Sequence, residues 1–353
     1  MGLEESCPPR VGQSVTRSPS PPGMSELRQD PLTGRWTIIG SERAGRPNEF
    51  IEESVRLTAG SCPFCAGNEH ETPDAVSFYP ARGPWQVRVV PNKYPAVALV
   101  NGVNGFHGPK LPALVKQPGW GTHEVIIESP RHVVSMSELS SQEATLVFRA
   151  YRDRLRALRN VEGLRYVQIF KNVGPAAGAS MEHAHSQLIA LNRVPEAIEQ
   201  EIGCFSSSHE ENGQPLLETI LAGELVAKQR IVAETERYVA FCPWASRFPY
   251  EVCLAPRKQQ ASYEDVKDAE LDEIAGIVRD VIGRIERTLG VPAYNFFLHT
   301  QPFDTPRCDH YHWHIEIFPR VTKTAGFEWS TGCFINPVPP EAAAETLRSA
   351  ASA

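Results

Sequence analysis

The stretch that decides how this chain reads runs from Asn172 to Gln187: Asn-Val-Gly-Pro-Ala-Ala-Gly-Ala-Ser-Met-Glu-His-Ala-His-Ser-Gln. A short apolar strand, Tyr166 to Phe170, precedes it, and another, Leu188 to Leu191, follows. The Gly/Ala/Ser loop between the two leaves backbone N–H groups bare, which suits close approach to a phosphate. Side chains alternate along a strand, so His183, His185 and Gln187 are expected on one face. Two imidazoles and an amide then converge on whatever the loop holds. A lone His-x-His is more often two surface histidines on a polar face, so the weight of this pattern depends on the rest of the chain.

Working outward, the chain offers the same unit twice. Ser137 to Asn160 has the apolar spacing of an amphipathic helix, with Ser140 as its cap and Leu146, Leu155 and Leu158 on one side. It lies between a strand within Gly119 to Ser129 and the Tyr166 strand. In the second half, Trp244 to Pro256 reads as a turn and strand. Tyr263 to Leu289 follows as a long helix, then Ala293 to His299 as a strand. The last strand, His310 to Phe318, alternates His310, His312, His314 and Glu316 against Trp313, Ile315 and Ile317. Between the halves, Val194 to Gly203 reads as a short helix, Phe205 to Gly213 as polar linker and Leu216 to Arg230 as a helix. The expected fold is therefore α+β, two related halves, each a mostly antiparallel sheet with a long helix packed across it. The expected boundaries are residues 24–194 and 195–353; residues 1–23, rich in Pro and Ser and without the apolar segment of a secretory signal, read as a disordered leader or as an over-extended start with Met24 as the true one.

At 353 residues the chain is long enough for two cores of ordinary size. No apolar run approaches the ~20 residues that span a bilayer. A net charge of −7 argues against a general nucleic-acid binder, although a few local arginines would still suffice for a small anionic substrate. Eight cysteines in a chain this long read as cytosolic thiols or metal ligands rather than a disulfide framework, and the expected compartment is cytoplasmic.

Cys62-Pro-Phe-Cys65 is open to three readings: redox dithiol, zinc half-site or coincidence. A redox pair should open a helix after a strand, whereas this one sits in a loop flanked by Gly60, Ser61 and Gly67. A zinc knuckle needing two more ligands is preferred. His132, at the exit of the Gly119 to Ser129 strand, gains weight only from its company. Arg43 and Arg46 lie in a loop and could hold phosphate oxygens or simply be solvated charges.

Taken together, these motifs resemble the galactose-1-phosphate uridylyltransferase family, the branch of the histidine-triad superfamily with two histidine-triad-like halves. The resemblance spans Leu27 to about Leu347. It rests on Asp30-Pro-Leu-Thr-Gly-Arg-Trp36, Arg43-Ala-Gly-Arg46-Pro47, Cys62-Pro-Phe-Cys65, Val90-Pro-Asn-Lys-Tyr-Pro95, Ser129-Pro-Arg-His132, His183-Ala-His-Ser-Gln187 and His312-Trp-His314, in order. It implies His185 as the nucleophile that takes a nucleotidyl group from a nucleotide sugar, and Gln187 as a hydrogen-bond donor to the phosphate. It further implies substrate contacts from Asn92, Asn172, Gly178 and Ser180, and hexose contacts from Phe327 and Glu328. Arg43 and Arg46 match arginines that reach a neighbouring subunit's substrate, so a homodimer is expected. The resemblance assigns Cys62, Cys65, His132 and His183 to a closed, structural zinc site. Nucleotide sugars and sugar phosphates are the implied partners, with no nucleic acid and no membrane.

The chain also departs from its relatives. Plant-type members carry a second Cys-x-x-Cys, but here that region reads Glu210-Glu-Asn-Gly-Gln214, and Gln259-Gln260 stands where a further histidine would be. Bacterial members bind a metal through residues that map to Glu201, His299, His312 and His314; a hydrogen-bonded cluster is an equal alternative there. Ala184 and Ser186 replace the usual Pro and Pro/Gly. The tail Gly326 to Pro337 matches the plant-type branch, which includes an ADP-glucose phosphorylase activity. Uridylyl transfer between UDP-glucose and galactose 1-phosphate, a reaction of galactose metabolism, is the expected activity because it is commoner in the family. ADP-glucose or dinucleotide phosphorolysis is the runner-up. A nucleotide-binding zinc protein without turnover is the reading from another class, and an intact His185 and Gln187 speak against it.

Overall fold

The computed structural model describes residues 25–40, 62–99, 119–303, 305 and 308–351. The expected leader, Arg43 and Arg46 lie outside the described residues. Two sheets form. The smaller joins β1 (Glu26–Gln29), β2 (Trp36–Ile39) and β13 (Phe334–Asn336), with β13 parallel to β2. The turn between β1 and β2 is set by Asp30, whose carboxylate accepts from the Leu32 N–H and the Thr33 hydroxyl.

The larger sheet holds ten strands. Its first-half members are β3 (Ser77–Tyr79), β4 (Val87–Pro91), β5 (Gly121–Ile127), β6 (Tyr166–Val173) and β7 (His185–Leu191). The second half adds β8 (Ile231–Glu234), β9 (Tyr238–Phe241), β10 (Val252–Pro256), β11 (Tyr294–His299) and β12 (His314–Pro319). The spatial order is β3-β4-β5-β7-β6-β11-β12-β10-β9-β8, with every neighbouring pair antiparallel. That order is a mirror about the β6–β11 seam, where Phe297 lies opposite Phe170. The architecture is α+β, and the two halves share one continuous sheet.

The six α-helices among the described residues are α1 (Ser141–Arg159), α2 (Glu196–Asn212), α3 (Leu216–Ala227), α4 (Asp268–Leu289), α5 (Gly326–Thr331) and α6 (Pro340–Ser349). None is long and apolar enough to cross a membrane. The two long helices, α1 and α4, pack on the same face of the sheet and on each other. Phe148, Tyr151 and Leu155 of α1 and Ile274, Val278 and Ile282 of α4 share one buried core with Ile169, Phe296 and Leu298 beneath them.

Three boundaries differ from expectation. Helix α1 begins at Ser141, because Ser140 and Glu143 close a capping box there, while Ser135 and Glu138 close a separate turn just before it. Helix α2 runs through 205–212, expected as linker, until Gly213 turns left-handed at φ 67°. Its buried positions are Ile198, Glu201, Cys204 and Phe205, a helical spacing disguised by one carboxylate. Strand β12 begins only at His314, so His310 does not share its face. His310 instead receives or donates a hydrogen bond with Ser206 of α2 and stacks on His209.

Candidate active site

His185 opens β7 on the sheet face opposite α1. It lies across from Ile127 of β5, and Gln187 lies across from Val125. Beneath them Val90, Val125 and Ile127 form a small apolar floor with Phe64 and Trp85. The His185 ring is buried, and burial, with the Lys171 cation behind it, holds its pKa below the usual imidazole value. Its Nδ1–H donates to the His183 carbonyl at 2.7 Å. A neutral ring with Nδ1 so occupied presents the Nε2 lone pair outward, the state a nitrogen nucleophile needs. Phe64 packs its ring 5.3 Å from that of His185.

His183 sits just before β7, and its side chain leads away to a different group. Its Nδ1 is 3.5 Å from both Cys62 Sγ and Cys65 Sγ, and His132 Nδ1 is 3.4 Å from Cys65 Sγ. All four ligand atoms lie within 4.8 Å of one another, so the structure gathers Cys62, Cys65, His132 and His183 as a group able to hold a metal. The His183 Nε2–H donates to the Ser129 carbonyl at 2.9 Å, which fixes the tautomer with Nδ1 free toward the thiols. Burial brings the His183 pKa to about 4. Burial and the neighbouring Cys62 push the Cys65 thiol up to about 11, a penalty that a shared cation removes.

On the other face of β7, Ser186 reaches a closed polar network. It donates to Glu128, which also accepts from Tyr151 of α1 and pairs with Lys171 of β6. The Lys171–Glu128 pair is inaccessible to water. The replacement of the family's Pro or Gly by Ser186 thus has a partner inside the core. Neither Phe64 nor this network was anticipated from sequence.

The remaining expected residues divide. Asn172 accepts from Asn295 at 2.8 Å, and Gly178 takes φ 85° below it. Ser180 is exposed in the loop beyond. Three of the N–H groups expected to be bare are used within the loop: Ala177 to Gly174, Gly178 to Pro175 and Ala179 to Gly174. Asn92 follows β4 and lies beside Gln187, with His123 of β5 between them. Phe327 and Glu328 are on the short exposed helix α5, beside β13.

A family model described as "Galactose-1-phosphate uridyl transferase, N-terminal domain" matches residues 20–195, and one described as a domain of unknown function matches 119–351. Over 329 residues the chain is 32% identical to the ADP-glucose phosphorylase of Arabidopsis thaliana, covering 92% of each. The chain belongs to the galactose-1-phosphate uridylyltransferase family. It is also 28% identical over 336 residues to the galactose-1-phosphate uridylyltransferase of Thermotoga maritima, covering 92% of this chain and 98% of that one. A crystal structure of the Arabidopsis thaliana ADP-glucose phosphorylase with bound ADP-glucose superposes with a TM-score of 0.80, at 32% identity, over 92% of this chain and 99% of that one. Membership makes the protein a transferase-family enzyme.

Within this family member the second half repeats the wiring of the first. His314 Nδ1–H donates to the His312 carbonyl at 3.1 Å, and His312 Nε2–H to the Pro256 carbonyl at 2.8 Å. These match His185 to His183 and His183 to Ser129. Glu201, His299 and His314 come together, with His299 Nδ1 at 2.8 Å from Glu201 and His314 Nε2 at 4.0 Å. His312 is not in that group: burial holds it at about 3, and its Nδ1 has no partner among the described residues. The position that matches Gln187 is Glu316, which burial alone would raise but Arg247 brings down to about 2. The second half therefore holds a carboxylate, paired with Arg247 at 2.6 Å, where the first holds the neutral amide of Gln187.

Proposed function

We propose that the protein transfers a nucleotidyl group through a covalent intermediate on His185, with ADP-glucose as donor and inorganic phosphate as acceptor. The observation that carries the chemistry is the buried, neutral His185 ring, its Nδ1–H held by the His183 carbonyl, with Gln187 two residues on along the same face. The Nε2 lone pair attacks the α-phosphorus, an N–P bond forms, and the P–O bond to the sugar phosphate breaks. Glucose 1-phosphate leaves with the electron pair. The imidazolium so formed keeps its Nδ1–H bond to His183, an acceptor already in place for the positive ring. A phosphate oxygen then attacks the same phosphorus, the P–N bond breaks, ADP leaves and neutral His185 returns. Gln187 donates to a non-bridging oxygen in both steps.

The adenylyl donor is favoured by the 32% identity to the ADP-glucose phosphorylase and by the 0.80 superposition. Uridylyl transfer between UDP-glucose and galactose 1-phosphate is the second reading, supported by the 28% identity over nearly all of the Thermotoga maritima enzyme. The deciding experiment is intact-protein mass after exposure to ADP-glucose or UDP-glucose, with His185→Ala as control. An adenylyl adduct discharged by phosphate supports the first, and a uridylyl adduct discharged by galactose 1-phosphate the second. No adduct with either donor would sink both and leave a binding protein without turnover.

Cys62, Cys65, His132 and His183 fit a structural Zn2+. Tetrahedral zinc with Zn–S near 2.3 Å and Zn–N near 2.05 Å sets sulfur and nitrogen about 3.5 Å apart, and the Sγ···Nδ1 separations are 3.4 and 3.5 Å. When bound, such an ion has four protein ligands and supplies no Lewis acid; it fixes the strand end that carries His185. Glu201, His299 and His314 are a second metal candidate, although the direct His299–Glu201 bond already satisfies that pair. Metal analysis separates one equivalent from two. A homodimer completed by Arg43 and Arg46 is part of the same proposal and is tested by sedimentation.

A further inference from the structure

We infer that His123 is a positioning residue that locks the amide of Gln187 with its N–H groups toward the phosphate; the inference rests on the role proposed for Gln187. His123 lies on β5, one step diagonal from Gln187 on β7, because the Cα partner of Gln187 is Val125 and that of His123 is Ile189. Diagonal neighbours on one face of an antiparallel pair are within reach of long side chains.

The tautomer follows from the backbone. His123 Nδ1 lies 3.1 Å from the Ala96 N–H, a group that can only donate, so Nδ1 holds the lone pair and the neutral ring carries its proton on Nε2. That Nε2–H points at Gln187 Oε1 from 2.9 Å. Asn92 Oδ1 accepts from the Tyr94 N–H at 2.8 Å, so its own NH2 faces the same His123 edge, 3.1 Å from Nε2; with the proton on Nε2 both are donors and no hydrogen bond joins them. The neighbourhood facing Gln187 therefore consists of donors. Gln187 can meet it only with its carbonyl oxygen, and its NH2 is left pointing away from His123.

The consequence is chemical. The terminal torsion of a glutamine is broad and nearly two-fold, so an untethered amide presents either its oxygen or its nitrogen. An oxygen presented to a phosphate repels it as charge develops, whereas the locked NH2 donates. His123 touches no reacting atom in this arrangement; it acts through Gln187.

The test uses the full-length, zinc-loaded protein and rapid-quench measurement of adduct formation from ADP-glucose and, separately, UDP-glucose. His123→Ala should slow adduct formation on the order of tenfold to a hundredfold, the penalty of loosened positioning, with KM for the donor little changed. His123→Gln, whose amide can donate from the place of Nε2, should recover most of the rate. In a Gln187→Ala background, His123→Ala should cost almost nothing more. Additive losses would overturn the inference, as would a His123→Ala protein whose zinc content and melting temperature fall in step with its rate. Wild-type protein that forms no adduct with either donor would overturn the parent proposal and this inference with it. A wild-type adduct with additive variants would overturn the inference alone.

Discussion

Lys171→Met isolates the buried pair behind the nucleophile strand. Both partners are at 0% side-chain exposure, so the substitution leaves the Glu128 carboxylate charged and cut off from water. Stripping one member from a buried pair costs about 3–5 kcal/mol. Glu128 keeps two donors, the hydroxyls of Ser186 and Tyr151, and hydrogen bonds to a charged group contribute about 1.5–3 kcal/mol each. These soften the loss without replacing the cation, which places the expected destabilisation near 3 kcal/mol, the low end of that range. Urea unfolding followed by tryptophan fluorescence reads it. Adding Glu128→Gln to Lys171→Met removes the stranded charge while keeping an acceptor for Ser186 and Tyr151, and should bring stability back to within about 1 kcal/mol of the native protein. Because Ser186 stands between His185 and Gln187, the single variant should also slow adduct formation, and the double should recover it. A single variant that loses less than about 1 kcal/mol, or a double variant no more stable than the single, would refute the reasoning.

Three other outcomes are expected. Cys62→Ser, or prolonged chelation, should remove one zinc per chain by metal analysis, lower the thermal midpoint and abolish the adduct, since the same loop holds Phe64 against His185. Gly121→Ala would put a Cβ 2.0 Å from the Ala190 carbonyl oxygen and force β5 from β7; a loss of about 2 kcal/mol or more by urea unfolding is expected. Glu143 is pushed up by burial, but the Ser140 N–H and Arg131 bring its pKa below the usual value. A depressed carboxylate stabilises fully above its unfolded pKa of about 4.3, and that contribution is lost as pH falls through the lower folded value. Native protein should therefore exceed Glu143→Gln in stability at neutral pH, and the gap should close progressively below about pH 4.

Much of the site was legible because its signals are local. Cys62 and Cys65, His183 and His185, and His185 and Gln187 are spaced by two or three residues, so loop and strand geometry set their relation. The same is true of the α1 cap, where Ser140 and Glu143 satisfy one another. The doubling of the halves followed from element order. Local spacing failed where an element's burial was carried by an unexpected residue, as Glu201 does in α2, and where a strand was assumed longer than its ladder, as at His310.

What the sequence by itself determined is the chemistry on offer: a histidine nucleophile candidate, an amide beside it, and two thiols and two imidazoles of the right types for a metal. Alternation states which face a side chain takes but not which strand will lie beside it. Only the tertiary structure, by setting β5 between β4 and β7, put His123 on Gln187 across 64 residues of chain. It likewise closed Lys171 on Glu128 and set Arg247 against Glu316, the counterpart of Gln187, 69 residues apart. Those pairings arise because the two halves bury their helices on one shared sheet, and that joint packing, rather than any short stretch, selects the neighbours.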